Sequence, residues 1–271
     1  MAKKHLGQNF LFDPSILHRL VEVSNVTALD TVVEIGPGHG SLTAILSGTA
    51  NKVIAIELDN DLFSKLQTRF GGAGNVVLVQ GDALTFDYET LETFKVVANI
   101  PYYITTPIIF RLMEAGKRLK SMTLTIQKEV AQRIIAGPNT KAYGVLSISV
   151  QYAAAPEMGF IIPRGAFKPA PKVDSAVLHL TMRNRPKVAV KDEKLFFTVV
   201  RTAFSQRRKT LSNSLKQLSP DIREKLIGAG IDPGRRAETL TIEEFAALAD
   251  FLSQELKAIG GQLQSSDSSK K

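Results

Sequence analysis

Five short β-branched runs, separated by helix-like segments, constrain the fold of this chain more than any other feature. The runs occupy residues 31–35, 52–57, 75–80, 95–99 and 122–127. They lack polar alternation, which is typical of strands covered by helices on both faces. Residues 41–49, 59–70 and 105–115 have helical spacing, with Asp59 and Thr105 as predicted N-caps. Repeated βα units predict a parallel, doubly wound sheet whose ligands bind beyond the carboxyl ends of its strands.

The chain changes character after Pro138. Residues 158–163 and 174–182 predict two strands joined by a proline-rich loop, and such a pair would extend the sheet with antiparallel members. Only helical segments follow from about Lys191. We predict them at residues 192–205, 207–217, 220–228 and 241–257, and one further helix before the two strands at residues 144–152.

The predicted fold is therefore α/β, a mostly parallel doubly wound sheet with antiparallel strands at one edge, followed by a small all-helical part. We place the α/β domain at residues 1–186 and the helical domain at residues 187–258. The polar, glycine-containing tail at 259–271 is expected to be disordered.

Composition excludes several classes of protein. The chain has 44% hydrophobic and 22% charged residues, which are ordinary globular values. No apolar run approaches the roughly 18 residues of a membrane span, and the first ten residues show neither a secretory signal nor a transit peptide. We expect a cytoplasmic protein without a membrane partner. The absence of cysteine and the spacing of the histidines predict no metal site. No heptad pattern or apolar stripe is evident, so we expect a monomer.

Positive charge is concentrated in one stretch. The net charge is +8, and residues 181–216 hold ten basic and two acidic residues. Arg201, Arg207, Arg208 and Lys209 form the densest cluster, which Phe204 interrupts. Basic residues mixed with an aromatic ring fit phosphate contacts and stacking on RNA. A solvated basic face is the alternative interpretation.

The ends of the first three strands carry residues typical of a cofactor site. The first strand is followed by a glycine loop that contains Gly36 and Gly38, the second ends in Glu57, and Asp82 follows the third. A carboxylate at the second position commonly binds ribose hydroxyls, and Asp82 can accept from an adenine amine. The glycine spacing is GxGxG, with Ser41 where the dinucleotide fingerprint has glycine. These residues favour S-adenosylmethionine over NAD or ATP. A tight βα turn is the structural alternative for the loop.

The fourth strand ends in the most specific feature of the chain, Asn99-Ile100-Pro101-Tyr102. The Asn99 side-chain oxygen and the Ile100 carbonyl could accept hydrogen bonds from an exocyclic amine, while the Tyr102 ring stacks on the base and Pro101 stiffens the turn. Phe167, on the proline-rich loop, is a candidate for stacking on the other face of the base. Packing in the core is the alternative for Phe167.

Near the N-terminus lie Phe10 and Phe12, each of which could either pack in the core or stack on the base. Gln8 and Asn9 are polar enough to close a cofactor pocket.

Eight segments, in order along the chain, resemble the family of bacterial small-subunit ribosomal RNA adenine N6,N6-dimethyltransferases. They are KKHLGQNFL, VVEIGPGHGSLT, VIAIELD, GDAL, NIPYYITTPIIF, FKPAPKVDSAV, FSQRRKTL and RRAETLTIEEF. The resemblance implies a class I, Rossmann-like methyltransferase domain and a helical RNA-binding domain. It implies dimethylation of two adjacent adenosines in the 3′-terminal hairpin loop of 16S rRNA, within the small (30S) ribosomal subunit, late in its biogenesis.

The resemblance also assigns roles to particular residues. It implies that Asn9 and Leu11 join Gly36, Glu57, Asp82 and Asn99 in binding S-adenosylmethionine. It further implies that Asn99 and Tyr102 hold the target base, with Phe167 as the opposite stacking partner.

Four other functions remain open from the sequence. A large-subunit rRNA adenine dimethyltransferase would perform the same chemistry on another RNA. A non-catalytic assembly or transcription factor of the same superfamily is disfavoured by the intact Asn99–Tyr102 motif. An NAD-dependent oxidoreductase is disfavoured by the glycine spacing and the basic stretch. A DNA adenine methyltransferase is disfavoured because no recognition helix is evident.

Overall fold

A computed structural model of the protein describes the backbone of residues 8–267 and the side chains of residues 8–254. The chain divides into two compact units. The first runs to Gln132 and resumes over Ala154–Asn184, and the second comprises Arg133–Ala153 and the chain from Arg185 onward. The sequence analysis placed a single boundary at residue 186 and assigned residues 133–153 to the first domain. The structure assigns that segment to the helical unit.

The first unit is built on one seven-stranded sheet. Its strands are β2 (Thr31–Ile35), β3 (Lys52–Glu57), β4 (Val76–Gln80), β5 (Phe94–Asn99), β6 (Leu119–Gln127), β7 (Ala154–Ile162) and β9 (Ser175–Met182). The strand order is β4-β3-β2-β5-β6-β9-β7. The first five of these strands are mutually parallel, and β9 pairs antiparallel with both β6 and β7. The predicted mixed sheet is therefore confirmed.

A short second sheet joins two distant segments. Its strands, β1 (Phe10–Leu11) and β8 (Phe167–Lys168), are antiparallel, and Leu11 lies opposite Phe167. The sequence analysis placed Phe167 on a loop and assigned no element to residues 10–11, because two residues are too few to show strand periodicity.

Five helices accompany the strands of this part of the chain. They are α1 (Pro14–Ser24), α2 (Ser41–Thr49), α3 (Asn60–Phe70), α4 (Thr105–Met113) and α5 (Lys128–Ile135). Asp59 caps α3 by accepting from the Asp61 backbone N–H, as predicted. The cap predicted at Thr105 is wrong. A 3₁₀ turn over Tyr102–Ile104 leads directly into α4, so Thr105 is already helical and Ile104 is the N-cap.

The second unit is helical. Its helices are α6 (Val145–Ala153), α7 (Glu193–Phe204), α8 (Leu211–Ser214), α9 (Ile222–Gly228) and α10 (Ile242–Asp267). Ile148 and Tyr152 of α6 lie in the same buried core as Phe196 of α7, and the Tyr152 and Phe196 rings stack with centroids 5.3 Å apart. This packing explains why residues 133–153 belong with the later helices. No helix among the described residues is long and apolar enough to cross a membrane.

Two predicted helix boundaries in this unit differ from the structure. α8 covers only four residues because the basic residues before it form a turn that ends at an extended Thr210. α10 continues to Asp267, past the start of the tail that we expected to be disordered from residue 259. Glycine lowers helix propensity by about 1 kcal/mol but does not block a helix sterically as proline does. The last four residues of the expected tail lie outside the described part of the chain.

Candidate active site

The glycine loop joins β2 to α2 at the carboxyl edge of the sheet. Gly36, Gly38 and Gly40 have φ values of 65°, 60° and 77°, a left-handed conformation that glycine adopts without steric penalty. The Gly36 N–H donates to the carbonyl of Ile56, 2.9 Å away. The loop therefore turns across the end of β3, where Glu57 lies.

Glu57, at the end of β3, connects two backbone segments of the site. One carboxylate oxygen accepts from the Gly38 N–H at 3.1 Å, and the other accepts from the Asp59 N–H at 2.9 Å. Burial raises the pKa of Glu57, and these two hydrogen bonds oppose the rise. Each carboxylate oxygen has a further lone pair. Glu57 can therefore hold the loop and still accept two hydroxyl groups from a ligand.

Asp82 lies beside Glu57 at the end of the neighbouring strand. The Gly81 N–H donates to the Glu57 carbonyl at 3.0 Å, so the ends of β3 and β4 stay together. One Asp82 oxygen accepts from the Leu84 N–H at 2.9 Å. This turn orients the half-buried carboxylate, whose second oxygen is the group that would meet an exocyclic amine.

The Asn99 side chain is oriented by a contact that the sequence did not reveal. Its amide nitrogen donates to the backbone carbonyl of Asn9, 2.9 Å away. Since only the amide nitrogen can donate to a carbonyl, this contact assigns the two ends of the amide. The oxygen is thereby left to accept from a ligand. The next residue, Ile100, is fixed by its N–H, which donates to the Thr125 carbonyl at 3.2 Å.

The segment before α1 covers the loop. The Gln8 side chain donates to an Asp59 carboxylate oxygen at 3.1 Å. The Phe10 ring packs edge-on against His39, with centroids 4.6 Å apart, and lies against Gly38. Leu11 continues into β1 and is buried in the core. Residues 8–11 therefore close one side of the site.

A single cavity brings most of the candidate residues together. It is lined by Asn9, Gly36, Gly38, Glu57, Asp82, Asn99, Ile100, Pro101 and Tyr102. Its wall also contains Phe10 and Tyr103, and apolar residues that the sequence analysis did not single out, among them Ile56, Leu62 and Ile104. Three of the candidates for this site, Leu11, Phe12 and Phe167, do not line it.

Phe167 is placed differently from our expectation. Its side chain is 2% exposed and belongs to the core that also contains Leu17, Leu20 and Ile162. Pairing of β8 with β1 turns the ring inward, so neither face is open to a base. The interpretation of Phe167 as an exposed stacking partner is wrong for this structure, and the alternative of a core residue applies.

This position yields a prediction about stability. Phe167→Leu should lower the free energy of unfolding by about 1 kcal/mol, because leucine keeps most of the buried volume. The kcat of the reaction catalysed at this site should change less than twofold. Thermal unfolding and steady-state kinetics on the same preparation measure the two effects. A large loss of kcat at unchanged stability would instead restore the stacking role.

Glu34 is a buried carboxyl group that sequence reasoning missed. It is 1% exposed in β2, and one of its carboxyl oxygens has no hydrogen-bond partner among the described residues. Burial, reinforced by the charge of Glu57, raises the pKa of Glu34 to about 8. The only signal in the sequence is one acidic residue within an apolar strand.

Glu34 predicts a pH dependence of stability. The folded chain binds the Glu34 proton more tightly than the unfolded chain, whose ordinary pKa is 4.5. Stability should therefore fall as the pH rises from about 4.5 to about 8. Glu34→Gln is neutral throughout this range, so its melting temperature should fall less between pH 5 and pH 8.5 than that of the wild type. Equal pH slopes for the two proteins would contradict this assignment.

The candidate RNA-binding residues lie at the end of α7 and in the turn after it. The side chains of Arg201, Arg208 and Lys209 are exposed. Arg207 is exposed too, but its guanidinium donates to the Lys141 carbonyl at 2.6 Å. Arg207 therefore also holds the chain near Lys141, a structural function that the sequence analysis did not anticipate.

Comparison with known proteins places the fold and the site in a family. The chain matches the family model of ribosomal RNA adenine dimethylases over residues 1–254. It is 48% identical to ribosomal RNA small subunit methyltransferase A of Moorella thermoacetica over 267 residues, 93% of each chain. Among solved structures it resembles a dimethyladenosine transferase from Plasmodium falciparum, with a TM-score of 0.75 and 27% identity over 88% of this chain and 95% of that one. It also resembles the 23S rRNA methyltransferase ErmE, with a TM-score of 0.73 and 29% identity over 90% of this chain and 100% of that one.

The sheet order, the glycine loop and these matches define a class I, Rossmann-like methyltransferase fold. Enzymes of this class use a methyl donor of the S-adenosylmethionine type. The chain belongs to the ribosomal RNA adenine dimethylase family. The family resemblance and the fold class inferred from the sequence are thus confirmed.

Proposed function

We propose that the protein transfers methyl groups from S-adenosylmethionine to the N6 amines of two adjacent adenosines in the 3′-terminal hairpin loop of 16S rRNA. We place this reaction in the small (30S) ribosomal subunit, late in its biogenesis. The observation that carries the proposal is the oriented Asn99 amide, whose nitrogen is bound by Asn9 and whose oxygen is left for an amine donor. This amide lies in the wall of a cavity at the carboxyl edge of the sheet.

The charges in the cavity wall fit S-adenosylmethionine. Glu57 and Asp82 are its charged residues, and no lysine or arginine belongs to the described lining. Two carboxylates and no cation disfavour phosphate groups and favour a ligand that carries positive charge. Glu57 would bind the ribose hydroxyls, Asp82 the adenine amine, and Gly36, Gly38 and Asn9 the remainder of the donor. The bound donor supplies an electrophilic methyl group.

The residues after β5 would prepare the target amine. Its nitrogen lone pair is delocalised into the adenine ring, which makes it a weak nucleophile. The Asn99 side-chain oxygen and the Ile100 carbonyl would each accept one amine N–H, which favours the developing positive charge on the nitrogen. Tyr102 would stack on the extruded base. A methylated amine that has become positively charged loses its proton readily, so no strong base is required.

One comparison supports the small subunit as the substrate. The Moorella relative named for the small subunit is 48% identical to this chain, whereas ErmE, named for 23S rRNA, is 29% identical. The exposed Arg201, Arg208 and Lys209, with Arg207 beside them, would contribute phosphate contacts to either RNA. We further propose that the protein acts as a monomer in the cytoplasm, where the subunits assemble.

A methyl-transfer assay tests the proposal. Labelled S-adenosylmethionine is offered with small subunits that lack adenine dimethylation, with naked 16S rRNA, with large-subunit RNA and with duplex DNA. We expect N6,N6-dimethyladenosine, identified by mass, with small subunits alone. Transfer to large-subunit RNA would favour the large-subunit alternative. Binding without transfer to any of the substrates would indicate a non-catalytic assembly factor.

A further inference from the structure

The hydroxyl of Tyr102 has a partner that the proposed reaction does not use. It lies 2.6 Å from the hydroxyl of Ser175, a normal distance for a hydrogen bond between two hydroxyl groups. Stacking on a base needs only the aromatic ring, so this contact serves something other than stacking itself. Within the described part of the chain, this is the one hydrogen bond that the Tyr102 side chain makes.

Ser175 is a rigid point of attachment. It is the first residue of β9 and is 0% exposed. On one side it pairs with Gln127 of β6, and on the other with Ile162 of β7. The backbone of a serine that pairs with a strand on each side cannot shift when the residue bonded to its hydroxyl moves. The backbone and Cβ of Ser175 are therefore fixed, and its hydroxyl is confined to the few positions that its χ1 rotamers allow.

The backbone of Tyr102 does not fix the orientation of the Tyr102 side chain in the same way. It lies in the one-turn 3₁₀ segment Tyr102–Ile104, directly after Pro101, and its side chain is only half-buried. A half-buried tyrosine in a short turn has several accessible side-chain rotamers. Burial of the hydroxyl end raises the pKa of Tyr102, and the bond to Ser175 opposes that rise. The turn therefore holds the Cβ end of the ring, and Ser175 of β9 holds the hydroxyl end.

We propose that Ser175 is a positioning residue, which holds the Tyr102 ring in the orientation that stacks on the target base. The inference rests on the proposed function, because it assumes that Tyr102 stacks on an adenine. Ser175 itself touches neither the base nor the methyl donor. It acts by limiting the rotation of the ring, so that the amine meets Asn99 in a fixed geometry. A misplacement of about 1 Å can lower a rate by up to about a hundredfold.

A double-mutant cycle on the full-length protein tests the proposal. Ser175→Ala and Tyr102→Phe each remove one hydroxyl of the pair, and each should lower kcat about tenfold on small subunits. The Kd for S-adenosylmethionine should stay within about twofold of the wild type. The double variant should be no slower than either single variant, because all three lack the same hydrogen bond.

Ser121→Ala is the matched control. Ser121 is also a buried serine of the β6–β9 pair, but it lies opposite Thr181, whereas Ser175 lies opposite Gln127 at the other end of the pair. Its replacement should leave kcat unchanged. A merely structural effect of losing a buried serine hydroxyl would appear in both alanine variants.

The outcomes separate the inference from the proposed function. Wild-type kcat in Ser175→Ala, or a loss of about a hundredfold in the double variant, overturns the inference while the wild type remains active. An inactive wild type refutes the proposed function, and the inference with it. If Ser175→Ala does not fold, Tyr102→Phe decides alone, since full kcat overturns the positioning role and a tenfold loss at unchanged donor affinity supports it.

Discussion

Replacing Asn99 with alanine is expected to lower kcat for methyl transfer by at least about a hundredfold, the usual effect of removing one preorganised hydrogen-bonding group from a polar active site. The variant loses the oxygen that would accept from the target amine and the amide nitrogen that donates to Asn9. Binding to small subunits should be retained, since the proposed phosphate contacts of the basic cluster would supply most of the affinity. Single-turnover methyl transfer and subunit pelleting measure the two quantities separately.

Asn75→Ala provides a control of the same chemical type. The Asn75 amide also donates to a backbone carbonyl, that of Ser47 at 2.8 Å, but it lies just before β4, at the opposite end of that strand from Asp82. Its loss should lower stability and leave kcat unchanged. Full activity of Asn99→Ala would remove the basis of the proposed mechanism. Loss of subunit binding in a folded Asn99→Ala protein would show that catalysis and RNA affinity are not separate.

Replacing Gly38 with alanine is expected to weaken binding of S-adenosylmethionine by at least about tenfold. At φ 60° an L-residue is strained by about 1–2 kcal/mol, and 1.4 kcal/mol corresponds to a tenfold change in Kd. The new Cβ atom would also lie 2.9 Å from the Phe10 ring. Phe10 must then move, and with it the segment that closes the cavity. Isothermal titration calorimetry with S-adenosylmethionine measures the effect.

Gly48→Ala is the matched control for this substitution. Gly48 lies in α2, and apart from its chain neighbours and the backbone of its own helix no atom lies within 4 Å of a Cβ added there. Alanine in a helix is more stable than glycine by about 1 kcal/mol, so this variant should melt slightly higher and bind S-adenosylmethionine as the wild type does. Equal affinity in Gly38→Ala would mean that the loop and Phe10 tolerate a side chain there. The close packing of the loop would then be irrelevant to donor binding.

Local patterns were sufficient to predict the frame of the first unit. The apolar β-branched runs predicted β2 to β6 to within a few residues, because strands buried on both faces need continuous apolar sequence. The candidates at the ends of these strands meet in one cavity, since parallel strands end at the same edge of a sheet. By contrast, α1 was not predicted, and the pairing of β1 with β8 was not visible in two residues of sequence.

The sequence by itself determined the fold class, the family and the residue types of the candidate site, because these depend on periodicity and on short contiguous motifs. Tertiary structure alone decided how the side chains are used. It buried Phe167, assigned residues 133–153 to the helical unit, bound Asn99 to Asn9 and brought Ser175 to Tyr102. Asn99 and Asn9 are 90 residues apart in the chain, and Tyr102 and Ser175 are 73 apart. Contacts at such separations leave no periodic trace, because they form only when the packed sheet brings the two segments together.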